Sequence, residues 1–428
     1  MTSLQRLARR VAAPPLVRHY GTTLRSQPLR RLWVAALASE AGDWAAVLAL
    51  TLLVYRQTHS PLAAAAVTAA TLLPQLGIGQ LMSTLADRHQ HRRVMAAADI
   101  TQAGAFLLLA LVPLPAAAVL AAAFLSGCAA PAFKAARSAA LPQLAAQRYE
   151  GALMVFNSTS QLCMLGGFSI GGALLAVLHP SGVLALNAAT FGLSAALVTS
   201  LPPTASGARQ HSVRGLLRAA AIALWGDRWV RYPVLVVNLT VFGPIAAETL
   251  VIPYTAGQGH GAAVAGLLAA APGLTGLVTA TLLPQRRTDT ATVRMVLAAL
   301  GAVTTVAAVL LMLRPPLAVA AVAFCVNGVT AVMTVPLVGV VARRLPVTVR
   351  ATAFSMIQGM AVGASAAAAL LSGALAQLTT PAAALGWMAL LSVGVVAALA
   401  PPLLRLREGQ RSTLGMGASR IRSGSGVA

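Results

Sequence analysis

The sequence predicts an all-α membrane protein, with twelve transmembrane helices arranged as two six-helix halves. Three observations lead there. Over 428 residues the chain is 58% hydrophobic, 9% charged and has a mean hydropathy of +0.78, which is too apolar for a soluble two-domain protein of this length. Apolar stretches of about 20 residues, the length that spans a bilayer, recur twelve times. When these are threaded back and forth, all of the 31 Lys and Arg residues except Arg56 and Arg314 fall on one side. Such asymmetry over short loops marks the cytoplasmic face and puts both termini there.

The first segment is expected at 32–55. It follows a tail over 1–31 that carries seven arginines, two adjacent prolines and no apolar run, a composition suited to a flexible cytoplasmic tail against anionic headgroups. The segment is long and lacks a cleavage site, so no cleavable leader is expected. Five more segments, at 62–86, 94–112, 115–136, 151–178 and 183–201, complete a first half over 32–201. Pro202 and Pro203 end the sixth. In the cytoplasmic linker over 202–229, Arg214, Arg218 and Arg228 alternate with Leu216, Leu217, Ile222, Leu224 and Trp225; that mixture suits an amphipathic helix on the inner leaflet or a disordered basic linker. The second half, 230–404, holds segments at 230–254, 262–284, 291–313, 316–342, 351–377 and 382–404, with a cytoplasmic tail over 405–428. Tyr55 precedes Asp87 by the same interval that separates Tyr254 from Arg286, and prolines bracket the ends of segments 4 and 10 alike. These echoes suggest two related halves with substrate held between them near the bilayer midplane.

Composition also excludes several functions. A net charge of +22 would suit nucleic acid only if base-stacking aromatics lay among the basic residues, and aromatics are 4% of the chain. Cys128, Cys163 and Cys325 lie singly in apolar segments, so neither a disulfide framework nor a metal centre is expected. There is no Walker lysine and no nucleophile motif. We therefore expect neither an enzyme nor a cofactor.

The most informative turn lies between segments 2 and 3, where Asp87, Arg88, Arg92 and Arg93 gather between two long apolar runs. With Leu85, Ala86 and the upstream Gly79 and Leu81, it resembles the signature loop of the major facilitator superfamily. Ser83 and Gln90 stand where that loop usually has glycine, and His91 where it has Arg or Lys. The resemblance implies the major facilitator fold. It also implies a cytoplasmic gate built on Asp87, Arg88, Arg92 and Arg93, with Asp87 capping a helix end or pairing with Arg137.

Among nine acidic residues, Asp87, Glu150, Asp227, Asp289 and Glu408 read as loop or helix-end groups. Glu40, Asp43, Asp99 and Glu248 fall at membrane depth, where a charged carboxylate costs roughly 2.5–3.5 kcal/mol on insertion scales and usually serves ion or substrate movement. Glu40 and Asp43 are three apart and share a helix face, and two carboxylates that close repel, so one is expected to hold a proton at neutral pH. Glu248 is the acidic residue at membrane depth in the second half, and its segment corresponds to segment 1, so the three are expected to line one cavity. Helix packing is the competing role for Asp43. Asp99 is expected nearer the inner mouth, either paired with Arg92 or Arg93 or part of the gate. Asn157, Gln161, Asn238 and Asn327 add polar groups to the cavity, or to helix-helix hydrogen bonds.

Two further resemblances narrow the expectation. Gly166-Gly167-Phe168-Ser169-Ile170-Gly171-Gly172 is similar to an antiporter motif of this superfamily, although glycines so spaced also allow close helix packing. Gly42-Asp43-Trp44, Leu52 to Tyr55, Pro131 and Ala136-Arg137-Ser138 through Pro142 resemble the branch with macrolide exporters and the enterobactin exporter. That likeness implies proton-linked export of amphipathic small molecules, drug-like or siderophore-like, by a monomer in a bacterial inner membrane. An importer or uniporter of the same fold is one alternative, and a non-transporting sensor or assembly subunit is another.

Overall fold

Prolines and short polar turns set where the helices of the computed structural model begin and end. The structure describes residues 20–21, 23–204, 213–282, 290–313, 317–333 and 335–422. Helix α1 (Gln27–Thr58) starts with a proline in its first turn and stops at His59, which takes a left-handed φ of 50° and donates its backbone N–H to Tyr55 O. Then come α2 (Pro61–Arg88), α3 (His91–Leu111), α4 (Ala116–Ala145), α5 (Tyr149–Val177) and α6 (Pro180–Thr199). Further on lie α7 (Val213–Gly226), α8 (Arg228–Leu239), α9 (Phe242–Ala256), α10 (Ala262–Leu282), α11 (Thr290–Met312), α12 (Leu317–Met333), α13 (Val335–Arg344), α14 (Val347–Leu378) and α15 (Pro381–Arg422). No strand occurs among the described residues. Seven of their helical stretches are long and apolar enough to cross a membrane by length and composition.

Segment 7, expected as one helix over 230–254, is broken between α8 and α9. Pro244 has no N–H to give the Thr240 carbonyl four residues earlier, so a continuous helix would leave that oxygen unpaired. The buried hydroxyl of Ser392 on α15 fills the gap, lying 3.4 Å from Thr240 O and accepting from Gly243 N at 3.0 Å. Within the stretch expected as a linker, Val213–Gly226 form the amphipathic helix α7. Ala220 and Leu224 enter an apolar cluster with Val230, Val234, Val341 and Leu345, while Ile222 and Trp225 stay exposed.

The described chain divides into two compact units, each with its own core. One takes α1, α2 from residue 70, α3 to α6, and residues 258–273. Here α1 packs on α4, α5 and α6, and α3 on α4 and α6, around Leu29, Leu32, Met95, Phe133, Leu141 and Phe156. Phe106 of α3 stacks on Phe191 of α6 with centroids 5.7 Å apart. The other unit takes residues 60–69, α7 to α9 and the chain from 274 onward, with α15 against α9 and α11, and α14 against α9. The glycine run of α5 is a packing surface. A Cβ on Gly167 would sit 2.6 Å from Trp44 Cβ of α1, and one on Gly172 would sit 2.6 Å from Gly266 Cα of α10. Side chains at those places would drive the helices apart.

Candidate functional site

In the first unit, apolar helices enclose a polar cluster. Glu40 of α1 forms an ion pair with Arg137 of α4 at 2.5 Å, with both side chains 15% exposed. Ser160 of α5 donates to the other carboxylate oxygen at 2.5 Å. The Arg137 guanidinium also lies over the Phe156 ring, 5.5 Å from its centre. Next to Ser160 on α5, Thr159 accepts from Trp33 Nε1 at 2.8 Å and lies 3.0 Å from the Tyr20 hydroxyl. Glu40 thus ties α1 to α4 and α5, and its charge is already balanced.

Asp43, one turn along α1, lies beside Asn187 of α6 and within electrostatic range of Lys134 of α4, with which it forms no ion pair among the described residues. Asn187 is buried, and Thr190 donates to its backbone oxygen at 2.7 Å. The close approach of α1 to α6 here needs Gly42. A Cβ at that position would run into Asn187 Oδ1 and lie 2.5 Å from Thr190 Oγ1. Asp99 of α3 is 0% exposed and faces Ser194 of α6 and Asp43. Among the described residues neither of its oxygens, nor the Ser194 hydroxyl, has a hydrogen-bond partner of sound geometry.

That placement corrects the expectation that Asp99 pairs with Arg92 or Arg93. Arg92 lies seven residues earlier, roughly 10 Å along the helix axis at 1.5 Å per residue, and donates instead to the Leu201 carbonyl at 3.1 Å. Arg93 is exposed. Arg137, expected as a partner of Asp87, is paired with Glu40. The side chains of Asp87 and Arg88 lie outside the described residues, as does that of Asn327. Asn157 and Gln161 are exposed on α5. Asn238 is buried and turns back on its own helix, donating to Val234 O at 2.8 Å.

In the second unit, Glu248 sits on α9 beyond the break at Pro244 and is half-buried, with no ion pair among the described residues. At the start of α8, Asp227 caps the helix by accepting from Trp229 N at 2.8 Å and pairs with Arg344 at 3.8 Å. Arg344 lies over the Trp229 ring.

Sequence reasoning missed Ser160, Asn187 and Ser194, because small polar residues in apolar helices carry no signal of their own. Lys134 did carry one, as the single lysine in a chain of arginines.

Long apolar helices and carboxyl groups inside them narrow the identity, and one comparison decides it. The profile of the transmembrane secretion effector family, within the major facilitator superfamily, matches residues 21–417. The chain belongs to that family. Comparison with curated proteins gives no match. Solved structures share the fold at low identity. The nucleoside transporter NupG aligns with a TM-score of 0.68 and 13% identity, over 88% of this chain and 98% of that one. A POT family transporter in complex with a thioalcohol-conjugated peptide gives 0.69 and 11%, over 87% and 96%. The human organic anion transporter MFSD10 gives 0.62 and 17%, over 87% and 99%. The chain is therefore a multi-pass membrane transporter of the major facilitator type.

Proposed function

We propose that the chain is a proton-coupled exporter of amphipathic small molecules, drug-like or siderophore-like, working by alternating access. It acts as a monomer with twelve crossings in two six-helix halves and both termini in the cytoplasm of a bacterial cell. The turn from Asp87 to Arg93 is its cytoplasmic gate. The observation that carries this reading is the state of Asp99 and Glu248, carboxyl groups inside apolar helices with no ion pair among the described residues. Carboxyls placed so in transporters mark proton and ion pathways. Glu40, balanced by Arg137, anchors the helices of the first unit, and Asp43, Asp99 and Glu248 hold the exchanging protons. The family's description as secretion effectors supports export.

The test is an efflux-deficient host expressing the chain, screened with dyes, macrolides and siderophores with and without a protonophore. Exclusion of at least one compound that collapses with the protonophore is the expected result. The neighbours described as nucleoside and peptide-binding transporters keep an importer or uniporter as the second reading. Accumulation insensitive to the protonophore would establish that reading and end the first.

A further inference from the structure

The polar cluster and Glu248 leave unused a groove of the first unit. It runs between α3 and α4, encloses about 470 Å3, and is lined by Ala97, Leu125, Cys128 and Ala129, with His89 and Arg93 at one end. The volume is in the range of ligand pockets, roughly 300–1,000 Å3, and its chemistry is divided lengthwise. The body is apolar. Beside it on the same two helices stand Ile100, Leu107, Leu108, Phe124 and Leu125, all exposed. So broad an apolar surface beside the groove on a multi-pass membrane protein suits contact with lipid tails. The mouth is basic, where Arg93 is exposed and makes no ion pair among the described residues. A cation at the end of a tail-lined groove complements one kind of molecule, an amphiphile with an anionic head.

We infer that the α3–α4 groove is a binding site for one anionic phospholipid, its phosphate on Arg93 with His89 alongside and an acyl chain along Ala97, Leu125 and Ala129. The bilayer supplies this ligand in large excess, and a basic side chain at a membrane surface selects anionic from zwitterionic headgroups. Direct contact between guanidinium and phosphate adds a charge-assisted, two-pronged geometry that choline headgroups share but net charge does not favour. The groove needs both ends. The arginine alone would gather any anion, and the apolar trough alone any chain.

The experiment is native mass spectrometry of the purified full chain, delipidated and titrated with phosphatidylglycerol, with phosphatidylcholine of the same acyl chains, and with inorganic phosphate. One phosphatidylglycerol retained in preference to phosphatidylcholine is expected, with no binding of phosphate alone. Arg93→Gln should lower phosphatidylglycerol occupancy about fivefold, the weight of one arginine at an anionic surface. Ala129→Trp, which fills the trough, should remove the retained lipid, whereas Arg218→Gln on α7 should leave it in place. Cys128 offers a second readout that does not depend on those variants folding well. With Cys163 and Cys325 replaced by serine, phosphatidylglycerol should slow thiol labelling of Cys128 several-fold, and phosphatidylcholine should not. Equal retention of the two lipids, undiminished retention by Arg93→Gln, phosphate bound without lipid, or Cys128 labelling indifferent to phosphatidylglycerol would each overturn the assignment.

Discussion

Removing one member of the Glu40–Arg137 pair should cost far more than removing both. At a charge separation of about 4 Å, two unit charges attract by about 4 kcal/mol in the effective dielectric that suits protein sites. Bringing both ions out of water offsets much of that, so the intact pair contributes little net stability, while a stranded partner costs about 3–5 kcal/mol. Each side chain here keeps 15% of its exposure, so we place each single change, Arg137→Gln or Glu40→Gln, near 3 kcal/mol. The double variant strands no charge and leaves Ser160 and Phe156 in place, so it should lose only about 1 kcal/mol rather than 6. The coupling energy is then about 5 kcal/mol, within the range of about 1.5–7 kcal/mol for close charge pairs. Reversible unfolding of the purified protein in mixed detergent micelles measures it, with the fluorescence of Trp33 and Trp44 on the same helix as the signal. Independent sites, by contrast, add to within about 0.5 kcal/mol. Losses in the single variants that simply add would mean that the pair does not form, and the anchoring role of Glu40 would fall with it.

Three other outcomes follow from the same geometry. Gly42→Ala places a methyl group against Asn187 and Thr190 and should destabilise by about 1–3 kcal/mol, as overpacking does; pairing it with Asn187→Ala should recover much of that loss, and a neutral Gly42→Ala would contradict the α1–α6 approach. Asp99→Leu removes a buried carboxyl with no hydrogen-bond partner among the described residues and should stabilise by about 1–3 kcal/mol while protonophore-sensitive export falls, measured by unfolding and dye efflux on the same preparation. Glu248→Gln should lower gradient-driven export at least about tenfold, a loss of about 1.4 kcal/mol or more in driving interaction, while counterflow exchange of substrate persists; full export with an unchanged pH profile would move the proton to another residue.

The sequence made the helices legible because hydrophobic length is a direct physical requirement of a bilayer, although α1 and α6 begin at prolines several residues ahead of the apolar segments expected from 32 and 183. Pairings across helices were not legible. Glu40 and Arg137 are separated by 97 positions, and an aspartate-arginine turn nearby offered a more obvious partner in Asp87. Asp99 was misplaced because sequence proximity to Arg92 and Arg93 suggested a contact that helical rise forbids. The break in segment 7 was half-visible in Gly243-Pro244. What closes it, Ser392, lies 149 positions from Gly243, and a serine in an apolar helix announces nothing.

The carboxyls at membrane depth are treated unequally, and that inequality bears on function. Glu40 is supplied with a serine and with an arginine that itself lies over an aromatic ring, which holds three helices in one arrangement. Asp99 and Glu248 have no such provision among the described residues. Side chains that only filled space there would be better as leucine or methionine, since a buried polar group without a partner costs about 1–3 kcal/mol by mutational measures. A proton carrier has the opposite requirement. A permanent cation beside it would hold it in one protonation state, so the absence of an ion pair is what exchange demands. Stability and transport should therefore separate at these residues. Apolar replacement of Asp99 should strengthen the fold and weaken export, whereas breaking the Glu40–Arg137 pair should weaken both. A variant of Asp99 that exported normally while gaining stability would show the carboxyl to be a packing defect, and the proton path would then have to run without it.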